Sequence, residues 1–218
     1  MDELVYRHLQ AQRLLARNTV AELALYWPQI DIDNIRGSTA PWLKSIRPVI
    51  ERGYLTSQYL AAEFYKNYRR QVLPNAEPFV LDVPNPFGAF GVHQPAPRDT
   101  QMKIMVSQKV TGPDWVENHT TGQEAYPEKQ EILRNGFSKS SGSAIRLVLG
   151  GGRGLVLLAV LADPLAMGIQ RVVDPQSDCT SCIAAGREPV LKSAGKERMW
   201  KAVAGHDFDA CGSRPVFT

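Results

Sequence analysis

Three cysteines and a histidine near the C-terminus form the pattern with the clearest chemistry. Cys179 and Cys182 are separated by two residues, and His206 and Cys211 follow after a gap of 23 residues. Two thiolates on a tight turn, joined by a distant imidazole and a third thiolate, complete the tetrahedral soft-ligand shell that zinc prefers. The spacing therefore predicts a zinc site at these four residues, with Asp209 as an additional candidate for an oxygen ligand.

Zinc at this site would be structural, because four protein ligands leave no open position for a catalytic water. Such a metal closes loops that have little hydrophobic core of their own. Two other interpretations of the same residues stay open. Cysteines are often small buried hydrophobic residues, and a C-x-x-C pair can be redox-active.

The other residues capable of catalysis form no recognised constellation. The histidines are His8, His93, His119 and His206, and the sequence has neither a G-x-S-x-G turn nor a Cys-His protease pattern. His206 beside the C-x-x-C pair resembles part of a zinc-supported nuclease centre, although such a centre needs a histidine base besides the metal ligands. We expect no catalytic and no cofactor-binding residue beyond the zinc ligands.

A glycine-rich run, GGGRG, occupies residues 150–154. Bare backbone amides at a helix start can bind phosphate. This run lacks the Gly-Lys-Ser/Thr ending of a phosphate-binding loop, and no clear strand precedes it. We interpret it as a helix end and hinge.

The elements that must position these residues are mainly helical. Apolar residues recur at helical spacing over residues 3–27, which predicts an amphipathic helix that ends at Pro28. A second helix is predicted over residues 41–72, bent or interrupted at Pro48 and Gly53. The two helices would form a hairpin.

The end of the second helix is basic, with Lys66, Arg69 and Arg70 in its last turns. Basic side chains at this position complement the helix dipole while remaining in water. We predict three solvated side chains, with phosphate contact as the alternative.

The second half of the chain is less regular. Six prolines between residues 74 and 97 exclude a regular helix there, so residues 74–127 are predicted to be an extended connector. Helical periodicity returns over 128–149, with a potential split at the serines of 140–143. After the glycine-rich run we expect a short buried helix over 155–163 and a strand over 169–173.

These elements predict a mainly α fold. A helical hairpin or bundle over residues 1–73 is followed by the Pro-rich connector over 74–127 and a helical segment over 128–168. A small irregular α+β module of the zinc type, which contains the cysteines and His206, completes the chain over 169–218.

Length and composition exclude several classes of protein. A chain of 218 residues with 44% hydrophobic and 22% charged residues fits one or two globular domains, and is neither collagenous, coiled-coil nor wholly disordered. The net charge of +3 is too small to indicate nucleic-acid binding. We expect cytoplasmic synthesis and no membrane span, because the N-terminus has no apolar signal segment and the apolar stretch at 155–161 is too short.

The C-terminal stretches RVVDPQSDCTSCIAAGREPVL and GHDFDACGSRPVF resemble the tail of the MuF-like minor head proteins of tailed bacteriophages. In that family a strand ending in Asp leads to C-x-x-C, and an H-x-x-C-x-C segment precedes a final Pro-Val-Phe. His206, Asp209 and Cys211 occupy the positions of that segment, so Asp209 stands where the family has its middle cysteine.

Upstream segments extend this resemblance over most of the chain. PWLKSIRPVIERGYLTSQYLAAEFYKNYR is similar to the family's helical region, and RLVLGGGRGLVLLAVLADPLAMGIQRVVD is similar to its run into the cysteines. The version in phages of actinobacteria is the most similar, and those proteins often carry the label capsid maturation protease.

The resemblance implies a virion protein of low copy number that associates with the portal and other head proteins in the interior of the phage head. Contact with packaged DNA is a further implication, whereas a membrane or a small-molecule substrate is not implied. The first hypothesis is therefore a structural minor capsid protein of head morphogenesis. The alternative is an assembly enzyme, either a capsid maturation protease or a metal-dependent nuclease. A second alternative is a zinc module that binds nucleic acid.

Overall fold

The computed structural model of the chain describes residues 2–80, 129–173, 179–203 and 211–217. Three long helices come first: α1 (Glu3–Tyr26), α2 (Ile35–Val72) and α3 (Lys129–Ala162), with a 3-10 turn at Trp27–Gln29 after α1. The C-terminal elements are β1 (Ala166–Val172), α4 (Thr180–Gly186), β2 (Val190–Leu191), a 3-10 turn at Lys192–Ala194, α5 (Lys196–Val203) and β3 (Gly212–Phe217).

The prediction of a mainly helical fold is confirmed, and the C-terminal residues add a three-stranded sheet. Its order is β2-β1-β3, and both strand pairs are antiparallel. The predicted strand at 169–173 is found as β1. Residues 81–127 of the predicted connector lie outside the described residues, and residues 74–80 form neither helix nor strand.

The first two helices form the predicted hairpin, and each begins at a polar cap. The Asp2 carboxylate accepts a hydrogen bond from the Leu4 amide at 2.9 Å, and the Asn34 side-chain oxygen accepts one from the Gly37 amide at 3.2 Å. Both caps satisfy amides that have no partner within the helix. The second helix therefore begins at Ile35, earlier than the predicted start at Pro41.

Helix α2 is continuous through Pro48 and Gly53, so the predicted interruption is wrong. Apolar residues on both sides of this point, including Ile46, Ile50 and Ala61, are buried. An internal proline costs a helix about 3 kcal/mol. Burial of one continuous apolar face against α1 and α3 outweighs that cost.

Helix α3 is also continuous, so the predicted split at 140–143 and the predicted helix end and hinge at 150–154 are both wrong. Gly151 and Gly152 lie where α3 crosses α2. A Cβ on Gly151 would lie 2.6 Å from the Tyr54 carbonyl oxygen, and one on Gly152 would lie 2.7 Å from Ser57 Oγ. Glycine is needed here because the two helix backbones approach too closely for a side chain, and the packing offsets its low helix propensity.

Among the described residues, α3 is the one helix that is long and apolar enough to cross a membrane. Its most apolar window, within Gln130–Ala162, has a mean hydropathy of 1.8. However, 61% of that window is buried inside the protein. Helix α3 is therefore the central helix of the core, and its apolar side chains pack against α1 and α2.

The core consists of two apolar clusters separated by polar side chains. The sheet-end cluster joins the sheet to one end of the bundle and includes Val5, Leu9, Tyr65, Val160, Ile169 and Met199. The hairpin-end cluster includes Leu23, Trp42, Ile46, Ile50, Val148 and Leu149. Between them along the three helices lie Gln12, Ser57, Gly152 and Arg153, which we call the polar layer.

Candidate functional site

The strand pairing places Cys211 beside the end of β1, from which the chain continues toward Cys179 and Cys182. Val172 at the end of β1 lies opposite Gly212 at the start of β3. Cys211 directly precedes β3, and Cys179 occupies the N-cap of α4, the helix that follows β1. Because the two strands are antiparallel, the chain leaves β1 and enters β3 at the same end. We call Cys179, Cys182 and Cys211 the cysteine end.

The cysteine end is largely closed to solvent. Cys182 is 2% exposed and Cys211 is 3% exposed, whereas Cys179 is half-buried. The Cys179 carbonyl accepts a hydrogen bond from the Ile183 amide at 3.0 Å, which sets the first turn of α4. Gln170 Nε2 donates to the Gly186 carbonyl at 3.0 Å and holds α4 against β1.

The predicted zinc ligands are only partly within the described residues. Cys179, Cys182 and Cys211 lie at the cysteine end, but His206 and Asp209 lie outside the described part of the chain. Within the ranges that the structure describes, no three His, Cys, Asp or Glu side chains form a group that could hold a metal ion. The zinc site stays a prediction.

Arg153 of the polar layer holds Cys211 from the bundle side. Its Nε and Nη2 atoms donate to the Cys211 carbonyl oxygen at 3.0 and 2.7 Å. Both residues are buried. Hydrogen bonds from a charged donor are stronger than neutral ones, and two of them on one oxygen define the position of that peptide group.

The rest of the polar layer joins the three long helices. The Gly152 amide donates to Ser57 Oγ at 3.0 Å, and Ser57 Oγ donates to Gln12 Oε1 at 2.8 Å. Gln12 Nε2 donates in turn to the Ser57 carbonyl at 3.2 Å. Breaking one of these bonds would leave a buried polar group without a partner, so the network specifies the register of the helices.

A small cavity beside Cys211 also contains His8. Its lining residues are His8, Gln12, Leu149, Arg153, Cys211, Gly212 and Ser213. About 10 Å³ is open to the centre of a water molecule, which is room for roughly one water. Although a histidine and a cysteine share this cavity, a polypeptide or a nucleotide would not fit within it.

His8 is a half-buried, neutral imidazole. Its ring stacks on Phe64, with 4.4 Å between ring centroids and 12° between planes. Burial lowers the pKa of His8 from 6.5 to about 4, because desolvation disfavours the charged form. The sequence prediction did not single out His8. Its position beside Val5, Leu9 and Gln12, which are buried on the inner face of α1, was a detectable signal.

A second buried polar centre surrounds Asp163, at the end of α3. Asp163 Oδ2 accepts hydrogen bonds from Arg69 Nε at 2.7 Å and from the Tyr65 hydroxyl at 3.0 Å. Oδ1 accepts from the Leu165 amide at 3.0 Å, and the Asp163 carbonyl accepts from Lys192 Nζ at 2.5 Å. One fully buried aspartate thus joins α2, the turn into β1 and the 3-10 turn after β2.

Arg69 corrects the prediction for the basic end of α2. Lys66 and Arg70 are exposed, as predicted, whereas Arg69 is 7% exposed and forms an ion pair with Asp163. Arg69 Nη1 also donates to the Glu77 carbonyl at 2.7 Å. Arg69 follows the buried Tyr65 by one helical turn, so it lies on the inner face of the helix.

Tyr65 acts as a donor in this centre. Burial raises the pKa of Tyr65, and the charge of Asp163 and their hydrogen bond raise it further. The phenol is therefore a hydrogen-bond donor at neutral pH. Tyr65 and Arg69 both donate to Asp163, and all three residues are buried, which is the arrangement of a structural link between elements.

Comparison with known proteins gives no match: no family model, no curated protein and no solved structure is similar to this chain. The similarity to MuF-like minor head proteins stays a prediction that depends on the C-terminal motif and the helical segments.

Proposed function

We propose that this chain is a structural minor head protein of a tailed bacteriophage, which associates with the portal inside the head during head morphogenesis. The observation that carries the proposal is the pairing of the two halves of the C-terminal motif. The residues RV of the first half end β1, and the residues RPVF of the second half end β3. Gln170 pairs with Arg214, and Val172 pairs with Gly212.

This pairing gives the motif a physical meaning. Segments about 40 residues apart in the sequence become neighbours in one antiparallel pair. Such an arrangement supports a C-terminal module that acts as one unit.

The buried charged residues also support a structural role. Arg69, Arg153 and Asp163 are closed to solvent and bonded to groups on other elements. Their hydrogen-bonding capacity is directed toward the interior of the protein. These residues stabilise the relative positions of the helices and the sheet.

The metal part of the proposal is one structural zinc held by Cys179, Cys182, His206 and Cys211, with Asp209 as a further candidate ligand. The metal would supply a cross-link between the segment after β1 and the segment before β3. Metal analysis of the purified protein should give one equivalent of zinc, and Cys182→Ser should lose it. A chelator should lower the Tm of the native protein and leave the Tm of Cys182→Ser unchanged. Protein without zinc would contradict this part of the proposal.

The head-protein proposal is tested by mass spectrometry of purified virions of the phage that encodes this chain, together with capture of the purified chain by the portal protein of that phage. We expect the chain in virions at a few copies and stable capture by the portal. Its absence from intact virions would overturn the proposal.

A matched pair of variants establishes whether capture depends on the folded bundle. Gly152→Leu should abolish capture, because Gly152 lies against Ser57 with no room for a side chain. Gly150→Ala should retain it, because a Cβ at this position meets no atom within 4 Å. Equal capture of both variants would indicate non-specific binding and would contradict the proposal.

The assembly-enzyme alternative requires turnover. Purified chain should be incubated with scaffold protein, capsid protein or DNA, with and without chelator. The structural proposal expects no cleavage, whereas cleavage that His206→Ala abolishes would replace it with an enzymatic function. The nucleic-acid-binding alternative expects DNA affinity that falls steeply with added salt.

A further inference from the structure

We propose that Arg153 is a positioning residue for Cys211, through which the helical bundle sets the position and accessibility of the Cys211 thiol. This role goes beyond the proposed head-protein function. It also accounts for the glycine-rich run that was predicted to be a helix end and hinge.

The contact itself is specific. Arg153 lies on α3, and its guanidinium donates to the Cys211 carbonyl, which is 58 residues away in the sequence. Arg153 is 4% exposed and Cys211 is 3% exposed. The planar guanidinium presents two donors in a fixed geometry, which lysine does not. Two hydrogen bonds to the Cys211 carbonyl restrict the backbone of Cys211. They therefore also restrict the direction of the Cys211 side chain.

The glycines before Arg153 hold α3 in the place from which this contact is made. Gly151 and Gly152 allow α3 to touch the backbone of α2 at Tyr54 and Ser57. The Gly152 amide also donates to Ser57 Oγ. In the run GGGRG, Gly151 and Gly152 thus form a close crossing with α2, and Arg153 forms the hydrogen bonds to Cys211. Because the crossing fixes the backbone at Gly152, the position of the Arg153 side chain is also defined.

The start of β3 is also held by α1. A Cβ on Gly212 would lie 2.8 Å from Leu9 Cδ2, so the backbone after Cys211 lies directly against α1. Gly212 is in addition paired with Val172 of β1. Removing the Arg153 anchor takes away a restraint that acts on Cys211 itself, and we expect local opening at this residue to become more frequent.

One part of the inference rests on the proposed zinc site. If Cys211 is a zinc ligand, Arg153 orients that ligand from outside the coordination shell, and partners of this kind typically change metal affinity 10- to 100-fold. The other part concerns thiol accessibility in the metal-free protein, and it stands without zinc.

The test measures alkylation of each cysteine in the folded full-length chain, in the presence of a chelator, by mass spectrometry of peptides sampled over time. Arg153→Met keeps most of the side-chain length and removes the donors. We expect the alkylation rate of Cys211 to rise roughly ten-fold relative to that of Cys182. Arg153→Lys, which retains one charged donor, should give an intermediate ratio, and it provides the test if Arg153→Met does not fold.

Two controls separate positioning from general destabilisation. Arg134→Met replaces an exposed arginine on the same helix and should leave every rate unchanged. Ile46→Ala removes buried volume at the hairpin end, away from Arg153 and Cys211, so it should lower the Tm while the ratio of Cys211 to Cys182 stays constant. If Arg153→Met accelerates both thiols equally, or neither, the positioning role is overturned.

Zinc affinity, measured by competition with a chromophoric chelator, provides the second readout. Arg153→Met should weaken binding by at least roughly ten-fold while Arg134→Met does not. A native protein that binds no zinc overturns the metal proposal, and the alkylation ratio then decides the role of Arg153. Zinc binding that is equal in the native protein and Arg153→Met, with an unchanged ratio, overturns the role of Arg153 alone.

Discussion

The hairpin end and the sheet end of this molecule are held together in different ways. The buried polar residues of the hairpin end include Thr19, Ser141 and Ser143, and its core is aromatic and aliphatic. In the part of the chain that the structure describes, the buried charged residues are Arg69, Arg153, Asp163 and Arg171. All four lie in the polar layer or toward the sheet.

The difference follows from the kind of element that must be positioned. Long amphipathic helices define one another's positions through continuous apolar faces. Short strands, turns and one- or two-turn helices have too little apolar surface for that, so directional bonds from buried charges define their positions. Arg171 Nη1, for example, donates to the Ala202 carbonyl at 3.1 Å and holds the end of α5 over β1. We therefore expect the sheet end to be sensitive to loss of polar groups and the hairpin end to loss of volume.

The largest expected effect comes from breaking the buried ion pair of the sheet end. Asp163→Ala leaves Arg69 buried without its carboxylate and should lower the free energy of unfolding by about 3 to 5 kcal/mol, measured by urea denaturation. The control is Glu22→Ala, which breaks the exposed pair with Arg52 and should cost less than about 1 kcal/mol. Similar costs for the two variants would contradict the importance of the buried centre.

Loss of volume at the hairpin end should have a comparable or somewhat smaller effect on stability. Ile46 is 2% exposed, and Ile46→Ala should lower the free energy of unfolding by about 2 to 5 kcal/mol because it removes packed methyl groups and leaves a cavity. The alkylation ratio of Cys211 to Cys182 should stay constant, since the two ends are held independently. A changed ratio would show that the two ends are coupled through packing.

Alanine substitutions at Gly152 and Gly150 should have opposite effects on stability, because only Gly152 lies at the crossing with α2. Gly152→Ala places a methyl group 2.7 Å from Ser57 Oγ and 2.8 Å from the Ser57 carbonyl, so it should lower the free energy of unfolding by about 1 to 3 kcal/mol. Gly150→Ala has open space and should raise it by about 0.5 to 1 kcal/mol through helix propensity. The free energies of unfolding of the two variants are measured by denaturant unfolding. A change of the same sign in both variants would argue against the close crossing.

The smallest expected effect is a pH dependence due to His8. Its folded-state pKa of about 4 lies below the ordinary value of 6.5, so the unfolded chain binds the proton more readily. This contribution to stability is fully present above pH 6.5 and is lost as the pH falls toward 4. Between pH 7 and pH 5 the native protein should lose about 1 to 2 kcal/mol more than His8→Gln. Parallel curves for the two proteins would mean that His8 is protonated without cost.

Regular periodicity predicted the parts of the fold that depend on local pattern. The spacing of Leu4, Leu9, Leu23 and Trp27 predicted α1 to within a residue of its observed end, and the strand predicted at 169–173 overlaps the last four residues of β1. Errors occurred at glycine and proline. Gly151, Gly152 and Pro48 were interpreted by their intrinsic conformational preferences, but a neighbouring helix decides the outcome at each of them.

The candidate site shows the same division. The C-x-x-C pair and Cys211 could be proposed as ligands from the sequence because ligand chemistry depends on residue type and spacing. Arg153, His8 and the pair of Arg69 with Asp163 were not, because each acts through a partner far away in the sequence. Arg69 and Arg70 are adjacent basic residues at the end of one helix, and only the position of Asp163 makes one of them part of the core.

The sequence by itself determined the helical period of α1, of most of α2 and of most of α3, and the strand that follows them. It also determined which side chains are chemically suited to bind a metal. Local backbone preference and hydrophobic period depend on neighbours within one or two turns, so they can be recognised without a fold. Tertiary structure alone decided that the glycine-rich run crosses α2, that Arg153 anchors Cys211, and that the start of β3, directly after Cys211, lies beside the end of β1. These features depend on the distance between atoms on separate elements, which packing determines once the apolar faces of all three helices are buried together.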